Sequence, residues 1–406
     1  MIRKKYKYLG VDTTTNAASW RVHAQRIIKK ATSRSRDLLW ICGRDKGLRP
    51  RSAATLWTAV VRPVMEYAAE LWAGEISEEM SKKMEKIQTD FARSVLGLTG
   101  CWGVPNVLVR AELGLEKLEA RREKLRMGYW RRVQVAETSR AFYKVAVMRR
   151  RQVVEGTNGD GMGSWMWKTR ELLWRRGLGE FWDEPESIVD VSKERWKEMV
   201  YQAVEERHDK VRGEELAGMN SMKRYSDVRS WGRMDEGRAA YAGEVGRMGA
   251  LVCERYLDDV KEREATKLKI KCRAKCMPLM KRVMKEANLP PEWARCVMCD
   301  SGDVEDEEHF LMKCKAYERH RERMMEKVAE AYSVGNGGQG GFEELGDEEK
   351  MKILLGQQVG GKAPEDNIDH AMKRYVKRAW RARKRVTRKV EDLVRVENGC
   401  RRIRLA

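Results

Sequence analysis

A mainly α-helical protein is predicted, and three observations predict it. Apolar residues recur every three or four positions along most of the chain, Glu and Lys alternate along many of the positions between them, and only one short stretch has strand character. The 406 residues allow two to four domains with a sizeable core, and a hydrophobic content of 42% excludes wholesale disorder. The formal net charge of +21 points first to nucleic acid and second to an anionic membrane surface, although a solvated helical scaffold laced with salt bridges has the same signature. Nine cysteines, with no apolar stretch behind Met1-Ile2-Arg3-Lys4-Lys5, predict a reducing compartment, nucleus and/or cytoplasm. No run of 18 apolar residues exists; the best stretch, residues 53–73, is interrupted by Arg62, Pro63, Glu66 and Glu70.

In chain order, residues 6–11 read as one short strand, with Asp12 and the threonines after it offering a helix N-cap. A helix over 17–42 follows, with Trp20, His23, Ile27, Ile28, Ala31, Leu38 and Leu39 near helical spacing. After a loop over 43–51, residues 52–72 read as one core helix kinked at Pro63. Ser77 caps the next helix, whose stripe is Met80, Met84, Ile87, Phe91 and Val95, and which ends at Gly97 and Gly100. Pro105 opens a short helix to Leu113, and residues 115–135 continue helically. Residues 156–164 form a flexible connector, then Trp-rich helical pieces place Trp167, Trp174, Trp182, Trp196 and Trp231 as core anchors. Residues 267–287 read as a basic helix; on it, Cys272 and Cys276 are packed thiols rather than a second metal pair. A charged helix over 317–332, a Gly-rich linker over 335–341, a short helix over 343–355 and a long helix over 367–396 complete the chain.

One constellation carries chemistry. Cys296-Val297-Met298-Cys299, then His309 and Cys314, is a Cys-x2-Cys pair followed by a His-x4-Cys pair. Three thiols and an imidazole at that spacing fit a tetrahedral zinc site with no open position, hence one structural Zn2+ and not a catalytic metal. Asp300-Ser301-Gly302-Asp303 is the turn-rich bridge that lets the chain double back between the pairs. The plain alternative is a few buried thiols beside a surface histidine.

The first third carries an ordered set of landmarks. They are Tyr8-Leu9-Gly10-Val11; Trp20 with His23; Gly47-Leu48; Leu56, Pro63, Glu66-Tyr67-Ala68 and Trp72; Gln88, Arg93 and Leu96-Gly97; then Glu112-Leu113-Gly114-Leu115, Leu118 and Arg121-Arg122. This set, over about 130 residues, resembles the region after the catalytic palm in non-LTR retrotransposon reverse transcriptases. Arg295-Cys296 and Cys299, with Val304-Glu305-Asp306-Glu307-Glu308-His309-Phe310-Leu311 and Cys314, is similar to the C-terminal Cys-Cys-His-Cys element of the same polyproteins. The resemblance implies a primer-grip strand and thumb over 1–150, a Trp-rich helical connector over 151–265, a zinc-binding region over 266–332, and a linker with a basic helical tail over 333–406.

The resemblance further implies that RNA, an RNA–DNA hybrid or target DNA is the partner; no membrane, and no small-molecule substrate of the chain on its own, are expected. The expected contacts are Tyr8, Leu9 and Gly10 of the grip; Arg121, Arg122, Arg131 and Arg132 of the thumb; Arg295 and Lys313 beside the zinc element; and Lys377, Arg378, Arg381, Lys384 and Arg385 of the tail. Residues 371–406 hold fourteen Lys/Arg against three acids, with Tyr375 and Trp380 as the only large apolar groups on the heavily basic part. That helix is expected to bury no face well and to pair with phosphates or stay solvated. Lys384-Arg385 also fits a nuclear import signal. Tyr256-Leu257-Asp258-Asp259 spells the Tyr-x-Asp-Asp signature of reverse-transcriptase catalysis, in which paired aspartates hold two metal ions. It is rejected here: Val252, Tyr256 and Val260 sit four apart as on an amphipathic helix, and in the family the signature precedes Tyr-Leu-Gly. The chain alone is therefore expected not to be an enzyme, although its parent family polymerises DNA.

Overall fold

The computed structural model describes residues 5–14, 20–42, 48–156, 164–219, 222–228, 253–259 and 262–397. Residues 17–19, 43–47 and 157–163, Trp231, Val252 and Val260, and the tail beyond Glu397 lie outside the described residues, as does the Tyr8 side chain. The chain is mainly α, with one two-stranded antiparallel sheet among the described residues. No described helix is long and apolar enough to cross a membrane. Two compact units form: Met1–Val95, Arg110–Glu214 and Met234–Cys253 in the first, Leu96–Val109, Glu215–Arg233 and Glu254–Ala406 in the second.

The first unit begins with a hairpin rather than the single strand expected. Strands β1 (Lys5–Tyr8) and β2 (Val11–Thr14) pair around Leu9-Gly10. Both turn residues have positive φ, 42° and 84°, the geometry that matches the twist of a two-residue hairpin. A Cβ on Gly10 would also press on the Tyr67 ring at 3.2 Å. Asp12 is not a helix cap: it sits in β2, where its carboxylate binds Arg26 Nε at 2.6 Å and its amide donates to His23 Nδ1 at 3.2 Å. Helix α1 (Arg21–Cys42) buries His23, Ala24, Ile27, Ala31, Ser35 and Leu38, a stripe at three- and four-residue spacing.

The single helix expected over 52–72 is broken twice. Pro63 has no N–H and its ring crowds the carbonyl four residues back, so the chain widens into a π-turn, Trp57–Val61, between α2 (Pro50–Leu56) and α3 (Arg62–Glu66). The second break is at Tyr67-Ala68, with Ala68 left-handed at φ 54°, before α4 (Ala69–Trp72). Trp72 stabilises it by donating from its indole to the Tyr67 carbonyl at 2.8 Å. Helix α5 (Glu78–Leu96) starts where Ser77 Oγ accepts from the Met80 amide at 3.4 Å and buries Met80, Met84 and Phe91. The short helix α6 (Asn106–Glu112) falls where Pro105 predicts it.

Helix α7 (Leu118–Gln134) is a polar spine. Arg126 reaches Glu75 at 3.2 Å and Thr169 Oγ1 at 3.0 Å, and Glu75 also binds Lys168 at 2.6 Å. A Cβ on Gly74 would overlap the Arg126 guanidinium and would displace it from Glu75 and Thr169. After α8 (Ala141–Glu155), the helices α9 (Trp165–Arg175), α10 (Glu180–Asp183) and α11 (Lys193–Ala217) close the unit. One hydrophobic cluster joins Met127 and Trp130 of α7 to Leu173, Trp182, Trp196 and Val204. Trp130 and Trp182 stack at 4.9 Å and the Trp196 indole donates to the Met127 carbonyl at 3.2 Å. Trp182 and Trp196 are thus core anchors; Trp167 is half-buried, and Trp174, at 53% exposure, is not an anchor.

The second unit is built on α12 (Lys223–Val228), α13 (Arg263–Arg273), α14 (Met280–Glu286), α15 (Glu318–Gly335), α16 (Asp347–Leu355) and α17 (Lys362–Glu397). The helix expected over 267–287 is two helices: Lys275 turns left-handed at φ 47°, and Pro278 cannot continue a helical ladder. Cys272 and Cys276 therefore do not share a helix. Tyr256 to Asp259 is neither hairpin nor amphipathic α-helix; Arg255–Asp258 is one 3₁₀ turn, and Asp259 binds Lys373 at 3.3 Å.

The basic helix α17 does bury a face, contrary to expectation. Ile368, Ala371, Met372, Tyr375, Val376, Ala379 and Trp380 enter one core with Phe310, Leu311, Met324 and Val328. Small alanines let the aromatics close-pack, and two of its cations go in with carboxylate partners. Lys373 meets Asp369 at 2.6 Å, and Arg383, 0% exposed, meets Glu305, 1% exposed, at 2.7 Å.

Candidate metal centre

The polar ends of this core position Cys296, Cys299, His309 and Cys314. Residues 294–305 double back on themselves: Cys296 N donates to the Asp303 carbonyl at 2.9 Å and Glu305 N to the Ala294 carbonyl at 2.8 Å, around an Arg295–Val304 bridge. Gly302, at φ 73°, supplies the left-handed residue of that turn. Inside the knuckle, Met298 N–H points at Cys296 Sγ, 3.4 Å away.

The second pair is set by a π-turn, His309–Lys313. Asp306 caps its start by accepting from His309 N at 3.0 Å, and Cys314 N donates back to the His309 carbonyl at 2.8 Å. A bond five residues back stacks His309 directly against Cys314, which is why four intervening residues suit this pair. Phe310 and Leu311 between them are fully buried, so the core clamps the turn that carries the ligands.

The four ligand atoms lie within 4.8 Å of one another. Cys296 Sγ is 3.8 Å from Cys314 Sγ, and Cys299 Sγ is 3.4 Å from His309 Nε2. Zn–S bonds of about 2.3 Å and Zn–N bonds of about 2.0–2.1 Å at tetrahedral angles give edges of about 3.8 Å and about 3.5 Å. The residues therefore fit one tetrahedral metal ion. His309 Nδ1, buried and without a hydrogen bond, looks away from the cluster toward Asp303, whose carboxylate is 3.6 Å off, the place for an outer partner that orients a ligating imidazole. The hydrogen bond from Cys314 leads the effects that push the Cys296 thiol down to about 5, with burial opposing it and the Met298 and Cys299 amides assisting. The same contact, then burial, pushes Cys314 up. An ion would keep both as thiolates.

The cations expected to meet nucleic acid are placed unevenly. In the first unit, Arg121 is paired with Glu66 and Glu116, and Arg122 is buried against Ser81 Oγ and Met84 Sδ. Arg131 donates to the Val191 carbonyl at 2.6 Å, while Arg132 is mostly exposed with Glu70 3.6 Å away. Leu9 projects outward at 73% exposure, Gly10 occupies the hairpin turn, and Tyr8 ends β1. In the second unit, Arg295 is exposed, Lys313 pairs with Glu308 at 2.6 Å, Lys377 with Glu262 at 2.6 Å, and Arg381 with Glu264 at 2.9 Å. Lys384 lies over the Trp380 ring and Arg385 is exposed.

Arg378 belongs to a group the sequence reading did not assemble. Arg319, Arg323 and Lys327 repeat every four residues on α15, and Arg374 and Arg378 do so on α17. A cleft of about 210 Å³ between the two helices is lined by His320, Arg323, Lys327, Arg374 and Arg378, with Glu326 also on its wall. None of Arg319, Arg323, Lys327, Arg374 and Arg378 is ion-paired among the described residues. Burial first, and then Arg378, Arg323 and Arg319, push the His320 imidazole down, and its Nδ1 is buried without a partner. The four-residue repeat of cations was visible in the sequence; that two such repeats face one cleft was not. Compared with known protein families, curated proteins and solved structures, the chain matches none.

Proposed function

We propose that this chain binds nucleic acid through its phosphate backbone, using a module held rigid by one structural zinc ion. The observation that carries the reading is the α15–α17 cleft: Arg323, Lys327, Arg374 and Arg378, none of them ion-paired among the described residues, line it beside Glu326, on the same core that clamps the Cys296, Cys299, His309 and Cys314 cluster. Four cations facing a single carboxylate repel one another, and a polyanion would complete them. Zinc is the ion of choice because three thiolates and one imidazole at tetrahedral edges select a soft, closed, four-coordinate site. Four protein ligands leave no position for substrate, so the ion's part is to hold the knuckle and its turn together.

The order of landmarks from Tyr8 to Arg122, and the acidic run before His309-Phe310-Leu311, support placing the chain after the palm of a non-LTR retrotransposon reverse transcriptase. Its partner is then RNA, an RNA–DNA hybrid or target DNA, and its place is nucleus or cytoplasm. Arg378, Arg385 and Arg295 remain as contacts; Arg122 is withdrawn from that list because its guanidinium is spent internally.

The test is salt dependence of binding to a labelled RNA–DNA hybrid. Six or more phosphate contacts lower affinity by roughly a thousandfold between about 50 and 200 mM salt, and replacing Arg323, Arg374 or Arg378 by Ala lowers the slope by about one each. A flat response, or slopes unchanged in all three variants, refutes the reading. Templated nucleotide incorporation by the purified chain with Mg2+ would refute the claim that it acts by binding alone.

A further inference from the structure

A second cavity, of about 500 Å³, lies between α15 and α17 and continues the cationic cleft: the two share Lys327, Ala371 and Arg374. Its volume falls among those of small-ligand sites, about 300–1,000 Å³. Small side chains leave the space, since Ala331 of α15 and Ala371 of α17 line it and are themselves buried. One end is stopped by backbone. Helix α15 finishes at Gly335, and the turn before α17 runs against it. A Cβ on Gly335 would lie 2.4 Å from the Val359 carbonyl oxygen, and one on Gly360 would strike the Gly335 carbonyl. Only glycines allow that approach. Val334, Ala363 and Pro364 line the cavity beside this wall.

The chemistry changes along the groove. Asn367, His370 and Arg374, spaced by three and four residues on α17, line the same cavity, and α15 adds Lys327 and Glu330. Neither Asn367 nor His370 has a hydrogen bond or ion pair among the described residues. Past Lys327 and Arg374 the lining continues with Arg323 and Arg378. From the stopped end outward it therefore runs from apolar, through an amide, an imidazole and one carboxylate, to cations. Glu330 repels a phosphate from the inner part, and the four cations outnumber Glu326 on the outer wall. The matching ligand has a flat head with hydrogen-bonding edges and negative charge on one side of it only. A nucleotide at the end of a strand has that form.

We propose that this groove seats the unpaired terminal nucleotide of a nucleic-acid strand. The base enters the cavity against Asn367 and His370, and the phosphates behind it follow Lys327, Arg374, Arg323 and Arg378. The inference rests on the reading of the cationic cleft as a phosphate site and adds recognition of a strand end. A base inside a duplex is paired and stacked, so it reaches such a cavity only at the cost of being extruded. A strand running on through the groove would meet the Gly335–Gly360 wall. The Asn367 amide carries two donors and an acceptor, so each base has an edge that it can pair. Selection is thus for an unpaired end rather than for one base.

The experiment uses the full chain, in the presence of zinc, and an RNA–DNA hybrid with a short single-stranded overhang at its 3′ or its 5′ end. Each overhang is made twice, with an intact last nucleotide and with an abasic one, so that the phosphates are equal in number. For at least one polarity the abasic end should bind about tenfold more weakly, the loss of one or two hydrogen bonds, with the salt slope unchanged. Replacing the exposed Asn367 and His370 together by Ala should erase that ratio and keep the slope, whereas Arg378→Ala should lower the slope and keep the ratio. A photoreactive thiouridine at the overhang's end should cross-link to residues 327–335 or 363–374 of the wild-type chain, a readout that stands if a variant fails to fold. Equal affinity for intact and abasic ends at both polarities, with a steep salt response, would overturn the end pocket and leave the phosphate reading in place. A flat salt response would overturn both, and a cross-link confined to other residues would overturn the pocket.

Discussion

Replacing Glu305 by Ala should be among the most damaging single changes in the second unit, and the structure sets its size. Glu305 accepts from Arg383 Nε at 2.7 Å and Nη2 at 2.8 Å, with both side chains shut off from solvent. Its second oxygen also takes the Met280 amide at 2.9 Å. Its own backbone closes the turn beneath the metal cluster through Ala294 and Lys281. Glu305→Ala removes the carboxylate that pairs with the buried Arg383 guanidinium, a loss of about 3–5 kcal/mol. Arg383→Met strands the carboxylate, with only the Met280 amide left, and should cost a similar amount. The double variant removes both charges and leaves an unpaired amide worth about 1–3 kcal/mol. It should therefore cost less than the two singles added, with a coupling of about 3 kcal/mol. Guanidinium unfolding of the three proteins in the presence of zinc, followed by circular dichroism at a common slope, reads all three. Additivity within about 0.5 kcal/mol would refute the claim that this pair ties α17 to the metal turn.

Two further outcomes are expected. His23 Nδ1 accepts from the Asp12 amide, and burial, then Arg26, hold the imidazole below its ordinary value while Asp12 opposes them. A depressed folded value means stability present above the unfolded value of about 6.5 and lost progressively as pH falls from there through the folded value, so Tm should drop from pH 7 to pH 5.5 in the wild type and less in His23→Gln; equal drops would exclude His23 as the cause. Ala68→Gly should stabilise the first unit by about 0.5–1 kcal/mol, because Ala68 is left-handed at φ 54°; an ordinary helical position would lose that amount, so a loss would contradict the break before α4.

Much of the fold was legible because local signals decided it. Ser77, Pro105, Gly97 and Gly100 are punctuation whose physics is complete within a few residues, and each stands where it predicts a boundary. The Cys-x2-Cys and His-x4-Cys spacings likewise sufficed to bring four ligands together, since each pair sits on one turn. What was not legible depended on partners far along the chain. Ala68 breaks a helix because Tyr67 answers to Trp72 and Leu9. Helix α17 buries a face because Glu305 and Asp369 wait for Arg383 and Lys373, and composition alone counts those cations as surface. Arg122 likewise reads as an external cation until Ser81 and Met84 are found beside it.

The account rests on a single ion gripped by Cys296, Cys299, His309 and Cys314. Metal analysis of the purified chain by atomic emission, beside Cys296→Ser and Cys314→Ser, tests it most directly. One zinc per chain, lost in both variants together with the ordered fold of the 294–317 segment, is the predicted result. A folded wild-type chain without stoichiometric zinc, or variants that keep it, would contradict the account.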